Sequence, residues 1–391
     1  MIRNFSADYI ITVAGEPLKN GVVSVNDEGE IVNIYNADDF DTNSGEVEKH
    51  SGVIVPGFVN SHCHLELSHL EGVIPKGLKL IAFIREVLKN RKADESRIIE
   101  CMEKADKLMY QNGIVAVGDI SSTNLSKNIK EKSSIYYHTY VEVLGFDPEK
   151  AEDVFNKGLE LKNEFYPLST SLTMHAPYSV SKELFKLFKN YYADQTNLLS
   201  LHNQESEEEN KLYRYKTGEF IDFYESMDIS IDYFKPQARN SLQSVIPLLA
   251  KDQKILMVHN TFTSLKDLYF VGRFGRDVSW CFCPNANLHI EGRLPKIPMF
   301  MSHDFNITLG TDSFASNDQL DILAEMKAVA TGFPTIPLET LIQWSTLNGA
   351  KFLGIDQDFG SIEKGKKPGL NLISNVKAMK LSPQSGVQKL I

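Results

Sequence analysis

Apolar positions along this chain change their period twice. Over the first 50 or so residues they come in short alternating runs, "DYIITVAG" and then "VVSVNDEGEIVNIY" folded about Glu28-Gly29. Short alternation punctuated by Gly and Asn predicts β-strands. The tail, "DFGSIEKGKKPGLNLISN", has the same character: Gly- and Lys-rich turns, then a brief apolar strand. Between these ends, eight apolar runs at 54–60, 114–120, 136–144, 171–177, 198–204, 255–260, 278–284 and 307–313 alternate with longer helical patterns. "LKLIAFIREVLKNR" and "ESRIIECMEKADKLMYQNG" carry apolar residues at i, i+3, i+4, and the second runs into Gly113, suited to a helix C-terminus. "SKELFKLFKNYYAD" opens on Ser181 as N-cap, with Leu184 and Leu187 on one face. Strand–helix alternation repeated eight times predicts an α/β fold, a (β/α)8 TIM barrel. Residues 55–355 would form that barrel, and 1–54 with 356–391 a small β-sandwich built from both termini.

A TIM barrel places its chemistry at the C-terminal ends of its strands. The expected strands end at His62/His64, Asp119, Glu142, His175, His202, His259, Pro284 and Asp312, so five of the ten histidines fall there. One metal site assembled from several strand ends explains that concentration. In "NSHCHLE" the two-residue period of a strand turns His62 and His64 to the same side and Cys63 away, toward a dry helix layer. His69, five residues on, reads as an exposed loop histidine or a residue at the substrate rim. "SLHNQESEEEN" sets Glu205 three residues after His202, close enough to shuttle a proton beside a metal. Its plain alternative is a solvated acidic helix start. His259 ends "ILMVHN" and reads as a partner of the attacking water. Asp312, in the turn "LGTDSFASND", would complete a set of three histidines and one aspartate with room for water. His175, in "TMHAPYSVS", is either a ligand or a substrate contact. Cys281 and Cys283 read as packing residues.

Charge and cysteine content narrow the class. The net charge of −10, with no basic cluster, argues against nucleic-acid binding. Four cysteines without a CxxC pair argue for reduced thiols and a cytoplasmic setting. No apolar stretch approaches about 20 residues, so no membrane span is expected.

With these motifs assembled, the chain resembles the amidohydrolase superfamily over nearly its whole length. "PGFVNSHCH" is similar to the family's Pro-Gly-x-x-x-x-His-x-His signature, "LGTDSFASND" to its last-strand motif, and "GSIEKGKKPGLNL" to its return into the sandwich. Pro368-Gly369-Leu370-Asn371 departs from the usual Ala-Asp-Leu there. The fourth strand end carries His175 and no bridging Lys, which resembles the mononuclear aminohydrolase branch. That branch includes S-adenosylhomocysteine, methylthioadenosine and, most similar in its short motifs, aminodeoxyfutalosine deaminases. The resemblance implies one divalent metal, zinc first with iron sharing the ligand set, held by His62, His64, His202 and Asp312. It implies catalytic roles for Glu205, His259 and Asp312, and substrate contacts for His175 and Glu66. The implied reaction replaces the exocyclic amino group of a purine-type nucleoside or base by water, releasing ammonia. A hydrolase of a cyclic amide or of a chloro- or amino-triazine ring uses the same metal set and is the alternative. A non-catalytic barrel module would have lost ligands, and none is missing. A small-molecule substrate and a homodimer are the expected partners.

Overall fold

The computed structural model describes residues 1–41 and 45–391. Eight strands follow one another in parallel, here numbered β1 to β8: Phe58–Cys63, Ile114–Ser121, Tyr136–Val143, Ser169–Met174, Leu198–Asn203, Lys254–His259, Asp277–Phe282 and Asn306–Leu309. They form two four-stranded parallel sheets, in the orders β4-β3-β2-β1 and β5-β6-β7-β8. Their sequences are near-continuous apolar runs because both faces are covered; every residue of β2 is buried. The sheets meet at two seams. The amides of Thr311 and Asp312 both donate to the His62 carbonyl at 3.1 Å, and the amide of His202 donates to the His175 carbonyl at 2.9 Å. Asp312 also bridges in parallel to Cys63.

The helices form where the 3.6-residue pattern predicts them. Glu95–Gln111 buries Met102, Ala105 and Met109 on one stripe and gives way to Gly113 at a φ of +78°. Lys182–Tyr191 begins under Ser181, whose side chain accepts the Leu184 amide. The acidic run after β5 departs from expectation. Its helix is Glu207–Tyr215, and Glu209 is buried within it, accepting the Gln204 amide through Oε1 at 3.1 Å. It is therefore not simply a solvated helix start.

Strands from both chain ends pair with one another. Val53–Pro56 lies between Leu370–Ser374 (antiparallel) and Tyr9–Ile10 (parallel), while Ile2–Ser6 pairs with Val22–Asn26 and Val47–Lys49. Phe5, Ile10, Val23, Ile54, Leu370 and Leu372 form a core of their own between them. The run 54–60, expected as one strand, is two. Val53–Pro56 belongs to the terminal sheet and β1 starts at Phe58, with Gly57 at the crossing. A Cβ on Gly57 would stand 2.6 Å from the Pro368 carbonyl oxygen, so the crossing needs glycine.

Candidate metal and active site

The ends of β1 and β5 and the turn after β8 bring His62, His64, His202 and Asp312 together. One ligand atom from each lies within 4.8 Å of the others, and all four residues are buried. His64 Nε2 is 3.1 Å from His62 Nε2 and 3.2 Å from His202 Nε2, and Asp312 Oδ1 is 3.5 Å from His64 Nε2. For His202 the partner on the outer side of the ring sets the proton. His202 Nδ1 lies 2.9 Å from the His175 carbonyl oxygen, which only accepts, so Nδ1 donates and Nε2 presents its lone pair. His62 Nδ1 is held by Ser200 Oγ at 3.0 Å, and Asp312 Oδ2 accepts from Ser316 Oγ at 2.5 Å. Three imidazole nitrogens and one carboxylate oxygen thus converge, with the His202 lone pair aimed into the set. The donor set and its outer partners fit a divalent cation. Burial, then the neighbouring histidines, holds His62 and His202 far below the usual imidazole pKa, in the neutral form a metal requires.

Glu205 and His259 stand beside this set. Gln204 (φ +45°) turns the chain at the end of β5 and leaves Glu205 buried, with Oε1 3.6 Å from His259 Nε2. Burial pushes the Glu205 carboxyl up to about 7, against the pull of His259. Burial presses His259 toward neutrality, but the Glu205 and Asp312 carboxylates and the hydrogen bond to Asn287 more than offset it, raising its pKa. His259 Nδ1 lies 3.0 Å from Asn287 Oδ1, so Nδ1 donates and Nε2 faces Glu205. His259 and Asp312, at φ +71° and +57°, hold left-handed backbone that non-glycine residues seldom adopt. Such strain concentrates where geometry is over-determined.

These groups open into one cavity of about 290 Å³. His175 lines it, with Nδ1 2.7 Å from Ser179 Oγ, and burial brings its pKa down to about 3. Glu66 also lines it; its carboxylate accepts from the Ser122 amide at 3.0 Å, Ser122 Oγ at 2.5 Å and Thr123 Oγ1 at 3.3 Å. Leu80, Phe83, Val87 and Phe146 supply apolar wall. His69 is neither exposed nor at the rim. It is buried in the turn Leu65–Leu70, its Nε2 on the Arg91 carbonyl at 3.1 Å, because the chain after His64 folds inward instead of looping out. Cys63 is buried in the main apolar core with Phe58 and Leu65, and Cys281 and Cys283 are buried in a second cluster. All four cysteines are unpaired. Two further polar residues line the cavity: Arg91, just past the helix Leu80–Asn90, which carries no signal in the sequence, and Glu142, near the end of β3, which the sequence marks as a strand end but to which it gives no role.

A model described as the amidohydrolase family matches residues 53–390. The chain belongs to the amidohydrolase family. An adenosine deaminase of Helicobacter pylori is 27% identical over 328 residues, 82% of this chain and 79% of that protein. Among solved structures, the family fold is shared with H. pylori aminofutalosine deaminase in complex with methylthio-coformycin. That likeness has a TM-score of 0.81 and 24% identity, and covers 97% of this chain and 93% of that one. It is also shared with an adenosine deaminase from Xanthomonas campestris with bound zinc, with a TM-score of 0.74 and 21% identity over 97% and 86% of the two chains. No helix among the described residues is long and apolar enough to cross a membrane.

Proposed function

We propose that this family member is a metal-dependent aminohydrolase that deaminates an adenine-type nucleoside or base. The observation that carries the reading is the placement of Glu205 and His259 beside the His62, His64, His202 and Asp312 set at one end of an otherwise largely apolar cavity. Zinc is the metal proposed, on three nitrogens and one carboxylate oxygen. When bound, such a cation supplies a water acidified toward a pKa of about 7. The remaining work falls to the chain. His259 Nε2 and Asp312 hold the attacking water against the amino-bearing carbon. Glu205 Oε1 takes the water's first proton and delivers it to the ring nitrogen, then takes the remaining proton from the newly bonded hydroxyl and passes it to the departing amine as the C–N bond breaks and the C=O bond forms. A carboxyl with a pKa of about 7 suits both directions of transfer. His175 and Glu66 contact the substrate, and the neutral ring of His175 makes it a hydrogen-bonding contact and not a charge. Aminodeoxyfutalosine, S-adenosylhomocysteine, methylthioadenosine and adenosine are the candidate substrates, the first favoured by short sequence motifs.

The same reading closes the two parallel sheets into one (β/α)8 barrel over 55–355, supported by the seam bonds at His62 and His175. It takes 1–54 and 356–391 as a β-sandwich, supported by the shared core of Phe5, Ile54 and Leu370. It also takes the enzyme as a cytoplasmic homodimer acting on a small molecule, a setting that suits four unpaired thiols. Ammonia release by zinc-loaded protein, assayed over those nucleosides with guanine and cytosine, tests the function. Turnover of an adenine nucleoside is expected, and no release from any of them overturns it.

A further inference from the structure

Glu142, next to the last residue of β3, has a side chain only 7% exposed. Its Oε1 is enclosed and accepts no hydrogen bond among the described residues, yet the residue lines the cavity. A buried acceptor without a donor is costly to keep, so such a group is a place to look for a missing partner. The nearby histidines do not supply one. His202 Nδ1 is 3.8 Å from Oε1 and is already committed to the His175 carbonyl at 2.9 Å. His175 Nδ1 is committed to Ser179 Oγ at 2.7 Å. Glu142 is therefore not needed to orient either ring. Glu66 and Arg91, one carboxylate and one guanidinium, line the same cavity.

The geometry points to Glu142 as a specificity-determining residue that accepts a hydrogen bond from the 2′- or 3′-hydroxyl of the substrate's sugar. This rests on the nucleoside reading above and adds to it a feature that the base alone would not need. Glu66, held by three donors from Ser122 and Thr123, is the fixed acceptor of the pair; Glu142 is the acceptor that substrate completes.

Glu142→Leu removes the acceptor and Glu142→Gln retains one carbonyl oxygen. With zinc-loaded protein, kcat and KM are measured on adenosine and on 2′,3′-dideoxyadenosine, with zinc content and melting temperature for each variant. The expected result is a loss in kcat/KM on adenosine of at least about tenfold for Glu142→Leu, carried mainly by KM, with partial rescue in Glu142→Gln. On the dideoxy nucleoside both variants should stay within about twofold of wild type, since the hydroxyl they would miss is absent. Zinc should remain at one equivalent throughout. Equal losses on the two nucleosides overturn the inference. So does zinc loss in a variant that still melts cooperatively, which would make Glu142 a support for His202. Two equivalents of zinc in wild type falling to one in both variants also overturn it. Wild type that releases no ammonia from any adenine nucleoside overturns the reading beneath it and this inference together.

Discussion

The two ends of the cavity are built on different terms. At the inner end the polar groups project from strand ends or the turns after them, and four of them have a second partner behind them: Ser200 behind His62, the His175 carbonyl behind His202, Ser316 behind Asp312, Asn287 behind His259. At the outer end the walls come from helices and loops. Leu80, Phe83 and Val87 project from Leu80–Asn90, and Phe223 comes from Glu219–Ser226. One polar clasp joins these helices: Arg85 donates to Ser226 Oγ at 2.8 Å, and its guanidinium sits 5.2 Å from the Phe223 ring centre. The inner end is fixed by hydrogen bonds whose loss is felt at once, and the outer end is a surface of contacts that can be exchanged singly. On the proposed reading the chemistry belongs to the strand ends, and the helices supply the apolar fit around the substrate.

The largest expected effects therefore lie at the inner end. His202→Ala and Asp312→Ala should each abolish metal binding, measured by elemental analysis, and with it all turnover. Either variant retaining a full metal equivalent would move the site elsewhere. Glu205→Gln should retain metal and lose roughly 10²- to 10⁴-fold in kcat, the usual share of a proton-transfer group. A fully active Glu205→Gln would remove it from the proton path. Ser200→Ala sharpens the contrast from behind. It deletes the partner of His62 Nδ1 without touching the set itself, and should weaken metal affinity by about 10- to 100-fold in a chelator competition.

Acidity reports on the same end more gently. Glu205 must begin as the carboxylate to take a proton, and its pKa lies at about 7. The ionised fraction therefore falls as pH drops, and kcat/KM at pH 6 should be about a tenth of its plateau above pH 8. A profile flat from pH 6 to 8 would contradict that order of protonation. The smallest effect belongs to the outer wall. Val87→Ala should raise KM for methylthioadenosine by about tenfold or less while leaving metal content unchanged. A change in metal content there would erase the distinction between the two ends.

What the sequence reveals follows this division. A parallel strand buried on both faces is an apolar run, and a polar residue at its end stands out, so His62, His64, His175, His202, His259 and Asp312 are legible one by one. Strand alternation is enough to separate Cys63 from its neighbours. The run 54–60 misleads because hydrophobicity does not register that one sheet has been left and another entered; only the crowding around Gly57 does. His69 misleads because a turn that folds back onto Arg91 looks, in sequence, like one that projects into water. Arg91, Ser200 and Asn287 are silent, and Glu142 shows only as a strand end without a role, for a different reason. Their roles depend on what another strand or helix brings opposite them, and no local period encodes that.

The central claim is that three histidines from two strand ends and one aspartate after the last strand make a single metal centre from which the cysteines are excluded. The X-ray absorption spectrum of the zinc-loaded protein at the zinc edge tests it most directly. The account predicts one equivalent of zinc in a shell of only nitrogen and oxygen at about 2.0–2.2 Å, with the outer scattering of three imidazoles. A sulfur contribution at about 2.3 Å, or fewer than three imidazoles, would contradict it.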